Sequence, residues 1–165
     1  MKKAAVIMGS INDMPVVEKA VNILKDFGIS ITVRVLSAHR VPDAVAEFAK
    51  SARNNDYGVI IAAAGMAAHL AGVVAAHTEL PVIALPLKSK ALEGLDALLS
   101  MVMMPPGVPV ATVGIDGAQN AGYLAVQILA VGDDDLMDKY ASFKRAQYDK
   151  CIEIDKENSV KYSSQ

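Results

Sequence analysis

Three short stretches of this chain combine residue types that can do chemistry. Ser37-Ala38-His39-Arg40-Val41-Pro42-Asp43 sets a hydroxyl, an imidazole and a guanidinium side by side. Arg40 can fork onto a phosphate or a carboxylate. His39 belongs to the side-chain type that gives and takes protons near neutrality. Gly9-Ser10-Ile11-Asn12-Asp13 can offer backbone N–H groups and the Ser10 hydroxyl to an anion, and Asp13 can accept hydrogen bonds from sugar hydroxyls. Ala64-Gly65-Met66-Ala67-Ala68-His69 brings a second imidazole into very apolar company. Each stretch also has a plain reading. Ser37 to Asp43 can be a polar strand-to-helix loop, Gly9-Ser10 a helix cap, and His69 a core histidine bonded to backbone, the commoner outcome for such a residue. His77, before Glu79-Leu80-Pro81, reads as a helix-end or surface residue.

The motifs that are missing narrow the chemistry. No GxGxxG follows the first apolar run, so a dinucleotide is not favoured. The phosphate loop GxxxxGK[ST] and the GxSxG nucleophile elbow are absent as well. The lone Cys151 excludes an internal disulfide, and neither CxxC nor a paired Cys/His motif suggests a metal. A net charge of −2 and a pI near 5.9 give no electrostatic footprint for nucleic acid.

The three stretches each follow a short apolar run. Ala4 to Met8, Ile31 to Leu36, Val59 to Ala63, Val82 to Leu85 and Val110 to Val113 read as five buried strands. Helical patterns alternate with them: Asn12 or Asp13 to about Phe27, with Pro15 in the first turn and Gly28 as the stop; Ala44 to Arg53; Met66 to Ala76; Leu92 to Met101; and Gln119 to Ala130. Lys88-Ser89-Lys90 falls after the fourth strand. Met103-Met104-Pro105-Pro106-Gly107 precedes the fifth, at the opposite edge, and its composition suits a subunit contact. With 53% hydrophobic residues, 5% aromatics and no Trp, the core must be built from Ala, Val, Ile, Leu and Met, which suits a parallel sheet between helices.

The pattern predicts an α/β three-layer sandwich around a five-stranded parallel sheet, of flavodoxin-like or Rossmann-like type. In such sheets the loops at the carboxyl ends of the strands carry the ligand, so the three stretches converge. At 165 residues the chain reads as a single domain, 1–165, large enough to bury about 70% of its unfolded surface. It divides into an α/β core over 1–130, a C-terminal helix over 133–156 capped by Asp133-Asp134-Asp135, and a polar tail over 157–165. That helix is apolar on more than one face (Leu136, Tyr140, Phe143, Ala146, Tyr148, Ile152), so it is expected to pack on a neighbouring subunit rather than only on its own domain. Lys2-Lys3 with Ala4 to Met8 is too short for a signal peptide. Gly58 to Ala76 is long enough to span a bilayer, but Gly65 and Gly72 interrupt it and it fits the strand–helix alternation. The expected setting is the cytoplasm, with no membrane and no nucleic acid as partner.

Several segments together resemble one family, the N5-carboxyaminoimidazole ribonucleotide mutases of purine biosynthesis, also known as the catalytic subunit of phosphoribosylaminoimidazole carboxylase. They are Met8-Gly9-Ser10 with Asp13, Val35 to Asp43, Ala67-Ala68-His69-Leu70 with Gly72, Leu80-Pro81-Val82, Leu98 to Val110 and Asn120 to Ala130. The His69 segment looks like the bacterial mutase class. The resemblance implies that Ser10 and Asp13, with Gly9, Asn12 and Gly65, bind the ribonucleotide, that Arg40 and Ser37 take its phosphate end, that His39 transfers the proton, and that His69 lines the site. It implies a carboxylate that leaves nitrogen as CO2, stays bound as an intermediate and is recaptured by carbon four of the aminoimidazole. It implies a homo-octamer and no metal or organic cofactor, because the aminoimidazole is itself an electron-rich nucleophile. The chain departs from the family pattern at Asn12, where Ser is usual, Met66 (Gly), Ala71 (Pro) and Met103 (Gln).

Other readings carry different expectations. A direct carboxylase would use CO2 with aminoimidazole ribonucleotide. A flavin-type mononucleotide binder would place aromatic residues in the edge loops, and Gly9 to Asp13, Ser37 to Pro42, Gly65 to His69 and Lys88 to Lys90 contain none. A non-catalytic nucleotide-binding paralogue would rest on Asn12, Met66 and Met103 alone.

Overall fold

The computed structural model describes residues 2–162. Five strands, β1 (Lys3–Met8), β2 (Ile31–Val35), β3 (Tyr57–Gly65), β4 (Val82–Leu87) and β5 (Ala111–Thr112), form one all-parallel sheet in the order β2-β1-β3-β4-β5. The helices are α1 (Met14–Asp26), α2 (Pro42–Ala52), α3 (Leu70–Ala76), α4 (Leu95–Val102), α5 (Ala118–Ala130) and α6 (Asp134–Tyr162). From β1 the chain steps outward to β2, then crosses back to β3 on the other side. The gap between the ends of β1 and β3 is therefore the switch point where an open sheet accepts a ligand.

The strand period of two sorts the core into two layers. Ala4, Val6 and Met8 of β1 with Val59, Ile61 and Ala63 of β3 face α1, α5 and the start of α6. Ala5, Ile7, Ile60, Ala62 and Ala64 face α2, α3 and α4. Both faces of the central strands are buried, which is why these runs are continuously apolar. α1 buries Val17, Ala20, Val21, Ile23 and Leu24. It ends in a Schellman turn: Gly28 N–H donates to Lys25 O at 2.8 Å and Ile29 N–H to Leu24 O at 3.0 Å, with Gly28 at φ 77°.

α1 and α5 pack closely at Gly122, where a Cβ would sit 2.9 Å from Ile23 Cβ and 3.1 Å from Ala20 O. Gly122→Ala should lower stability by about 1–2 kcal/mol, because overpacking outweighs the better helix propensity of alanine. A shifted urea midpoint at unchanged slope would show it.

Several element boundaries differ from expectation, four of them for a clear local reason. The helix after β3 starts at Leu70 rather than Met66, since Met66 takes a left-handed backbone at φ 57° that no helix accommodates. β4 continues past Leu85 through Pro86 to Leu87. β5 pairs only with Ile83 and Ala84, so at Pro86 that side of β4 has no ladder for the missing N–H to break. The helix after β4 starts at Leu95 rather than Leu92, because Glu93 and Gly94 are left-handed at φ 55° and 91°. α6 starts at Asp134, capped by Asp133 Oδ1 accepting from Leu136 N–H at 3.0 Å. It runs to Tyr162, so the described part of the expected polar tail is helical; residues 163–165 lie outside the described residues.

α6 packs only at its start. Leu136 is buried, and Tyr140 and Phe143 join Phe27 and Tyr123, with Tyr123 stacked on Phe143 at 4.6 Å between centroids. Beyond it, Tyr148, Ile154, Val160 and Tyr162 are exposed. Among the described residues no helix is long and apolar enough to cross a membrane.

Candidate active site

β1, β2 and β3 end together, and their loops meet over the switch point. Leu36 N–H donates to Met8 O at 2.9 Å, and Gly9 N–H to Ala63 O at 3.0 Å, so the three strand ends are tied at the level where the polar loops begin.

After β1, Ser10 caps a single 3-10 turn, Ile11–Asp13. Its Oγ accepts from Asn12 N–H at 3.2 Å, and Asp13 Oδ2 accepts from Ser10 N–H at 3.0 Å. The cap reading is thus correct, and it leaves the Ser10 hydroxyl proton to donate outward. A Cβ on Gly9 would come no closer than 3.9 Å to any other side chain, so nothing inside the chain demands glycine there. The empty space suits close approach of a ligand. Gly65 differs: its Cβ would meet Leu87 O at 3.3 Å, so its glycine is explained by the β3–β4 contact.

Half-buried Asp13 has its carboxyl raised above the ordinary value, burial being the larger influence and the Ser10 N–H opposing it. A carboxyl raised on folding contributes most to stability while it is protonated, below the unfolded value, and that contribution is lost as pH rises through the folded value. Asp13→Asn should therefore melt above the parent at neutral pH, and the gap should close as pH falls toward 4. If the carboxylate accepts from a ligand, nucleotide affinity falls in the same variant. Thermal melts at two pH values, with calorimetry, test both halves.

After β2, Ser37 O accepts from Arg40 N–H at 3.2 Å and from Val41 N–H at 2.9 Å, closing a turn that presents His39 and Arg40 at the exposed rim. Pro42 then opens α2. Among the described residues the Ser37 hydroxyl and the Arg40 guanidinium have no partner, so both are available to a ligand.

After β3, Met66 to His69 form a tight turn in which His69 N–H donates to Ala67 O at 3.0 Å. His69 is not a core residue. It is exposed, and its Nδ1 lies 2.9 Å from Nε2 of His39, the rings meeting edge-on at 5.1 Å. A hydrogen bond between these two nitrogens needs one as donor and the other as acceptor, so each ring constrains the tautomer and orientation of the other. Sequence spacing gave no sign of this contact between residues thirty apart. The convergence of strand ends, and the resemblance that put both residues in one site, were its signals.

Met66 is 66% exposed and turns to the surface instead of filling the turn. Its left-handed backbone costs about 1–2 kcal/mol for an L residue. Met66→Gly should stabilise the fold by about 0.5–1 kcal/mol once the freer unfolded chain is allowed for, as urea unfolding would register.

The remaining residues singled out in the sequence lie elsewhere. His77 caps the end of α3, donating its N–H to Val74 O at 3.0 Å. Met104 packs its sulfur toward Gly72 of α3, while Met103 stays 78% exposed. A cleft of about 420 Å³ between α5 and α6, lined by Tyr123, Tyr140 and Phe143, and a shallow surface on the outer side of α2 hold neither histidine. The histidine pair sits on an open rim. Among the described residues no three His, Cys, Asp or Glu side chains gather as a metal site.

Comparison with known proteins agrees with this fold. The family model described as AIR carboxylase matches residues 3–150. An N5-carboxyaminoimidazole ribonucleotide mutase of Saccharolobus solfataricus is 55% identical over 87% of this chain and 90% of its own length. One of Pyrococcus abyssi is 51% identical over 87% of this chain and 83% of its own. The crystal structure of Treponema denticola PurE superposes with a TM-score of 0.85 at 30% identity, covering 98% of each chain.

Proposed function

The chain belongs to the AIR carboxylase family, and from that premise we propose that it is a mutase converting N5-carboxyaminoimidazole ribonucleotide to 4-carboxyaminoimidazole ribonucleotide in purine biosynthesis. The observation that carries the mechanism is the His39–His69 contact at 2.9 Å, in the same rim as the Arg40 guanidinium and the Ser37 hydroxyl, which have no partner among the described residues.

The reaction moves one carboxyl group and one proton. The bond from the exocyclic nitrogen to the carboxyl carbon breaks, CO2 departs, and its bonding pair stays on nitrogen, which gains a proton. Carbon four then attacks CO2 and loses its own proton as the ring regains aromaticity. A single imidazole can deliver the first proton and collect the second, so the net change is an isomerisation. His39 has that role. His69 holds its Nε2 and leaves Nδ1 of His39 uncommitted. Arg40 and Ser37 take the phosphate, Ser10 donates its hydroxyl proton, and Asp13 accepts from the ribose, with Gly9 and Asn12 alongside.

CO2 must be kept from solvent between the two steps, yet the rim of one chain is open. A homo-oligomer supplies the missing wall, and the unpacked distal part of α6, with the exposed Met103, is the surface by which copies associate. An octamer is the state the family resemblance implies. Sedimentation of the purified protein would test it, and a monomer at micromolar concentration would refute the shared wall.

The deciding experiment is an ultraviolet assay with N5-carboxyaminoimidazole ribonucleotide, run beside aminoimidazole ribonucleotide plus bicarbonate. Turnover of the first alone establishes the mutase. Turnover of the second at comparable rate would make the chain a direct carboxylase.

A further inference from the structure

A fourth loop reaches the ligand edge. β4 ends at Leu87 opposite Gly65 of β3, so Lys88 to Gly94 rises beside the turn that carries His69. Both of its ends are pinned. Asp116 N–H donates to Pro86 O at 2.9 Å, and Asp116 Oδ1 accepts from Lys88 N–H at 3.0 Å, so one residue brackets the last turn of β4 from two sides. Asp116 does this from a left-handed backbone at φ 56°, a conformation that Asp and Asn tolerate better than most residues. At the far end, Gly94 at φ 91° lets the loop close, since a Cβ there would lie 2.7 Å from Ile115 Cγ2 and 3.1 Å from Lys88 Cα. Inside the loop Glu93 N–H donates to Ser89 O at 3.1 Å, and Lys88 pairs with Glu93. Only its apex is uncommitted: Lys90 is exposed and has no partner among the described residues. Below it, Ser89 Oγ donates to Asp96 Oδ2 at 3.4 Å, while the buried Oδ1 of Asp96 has no donor among the described residues.

We propose that Asp116 is a positioning residue for nucleotide binding, holding the Lys88–Gly94 loop as the β4-side wall of the substrate site with Lys90 presented to the anionic ligand. This rests on the mutase reading of the same edge. Asp116 touches no substrate; it acts through Lys88 and the loop. A loop fixed before binding loses less entropy when the ligand arrives, so its bracket shows in affinity rather than in the chemical step.

The test compares Asp116→Asn, which keeps both the acceptor and the tolerance for a left-handed backbone, with Asp116→Gly, which keeps the backbone and loses the acceptor. Initial rates over a range of N5-carboxyaminoimidazole ribonucleotide should show KM raised about five- to tenfold in the glycine variant with kcat within about twofold, and the asparagine variant within about twofold of the parent in both. Lys90→Ala should raise KM to a similar extent. Equal KM values for the parent, Asn and Gly proteins would overturn the proposal. So would a fall in kcat that tracks a lowered melting temperature at constant KM. A parent protein with no turnover would sink the mutase reading alone. Calorimetric affinity for aminoimidazole ribonucleotide across the same variants would then decide the role of Asp116, glycine weakening it in support and parity refuting it.

Discussion

His39→Asn should leave a folded protein that binds the ribonucleotide and turns it over about 10²–10⁴-fold more slowly, the range ascribed to one positioned acid–base group. Asparagine is polar and close in size to imidazole near the backbone, and it has no proton to exchange near neutral pH. The exposed turn that carries the residue is built from the Ser37 carbonyl and not from the ring, so its backbone has no reason to move. The loss should therefore fall on kcat, with KM within a few-fold, as measured by the ultraviolet change on carboxylation of carbon four. A variant retaining a tenth or more of parental kcat would remove His39 from the mechanism and shift attention to His69, the other imidazole of the pair.

The second large effect is on binding. Arg40→Met should raise KM about 100-fold with a much smaller change in kcat, since a hydrogen bond to a charged group contributes about 1.5–3 kcal/mol and the guanidinium can make two to one phosphate. Methionine keeps most of the apolar stem, which isolates the charge. Arg40→Lys should recover only part of the affinity, because an ammonium cannot reproduce the planar fork. Initial-rate kinetics over a wide concentration range would show it. A KM within threefold of the parent for Arg40→Met would mean that the phosphate binds elsewhere on the rim, with Lys90 the next cation to examine.

Much of this was legible in the sequence because parallel sheets write their pattern plainly. Strands buried on both faces must be apolar throughout, and Ile60-Ile61-Ala62-Ala63 can hardly be read otherwise. Gly28 marked the end of α1 because a Schellman turn needs a left-handed residue that glycine supplies cheaply. Two of the misreadings share one physical cause. Met66-Ala67-Ala68 has good helix propensity, and Pro86 is a poor strand residue, yet in both places the sheet's geometry overrode the local preference. His69 drew two opposed readings, a core residue from its neighbours and a site residue from the resemblance. Its apolar neighbours suggested burial, but the turn they form lifts the ring out to meet His39. The end of α6 was misread: the polar composition after Lys156 suggested a tail, yet no Gly or Pro follows Gly132 to stop the helix, which runs to Tyr162. What covers the exposed faces of α6 was not readable, since apolar side chains on an outward helix state a need and do not name the partner.

The close fit of α1 against α5 at Gly122 has a consequence for how the chain is made. The apolar stripe of α1 leaves the ribosome early, whereas its cover, α5, is drawn from residues 118–130. At about 5–20 residues per second, Val21 and Ile23 stay uncovered for on the order of 5–20 s while β2, β3 and β4 are still being synthesised. The nascent chain can complete the β2-β1-β3 half of its sheet in that time, with α2 already closing one side. The other side stays greasy until α5 arrives, and that interval is when a holding chaperone would find this polypeptide.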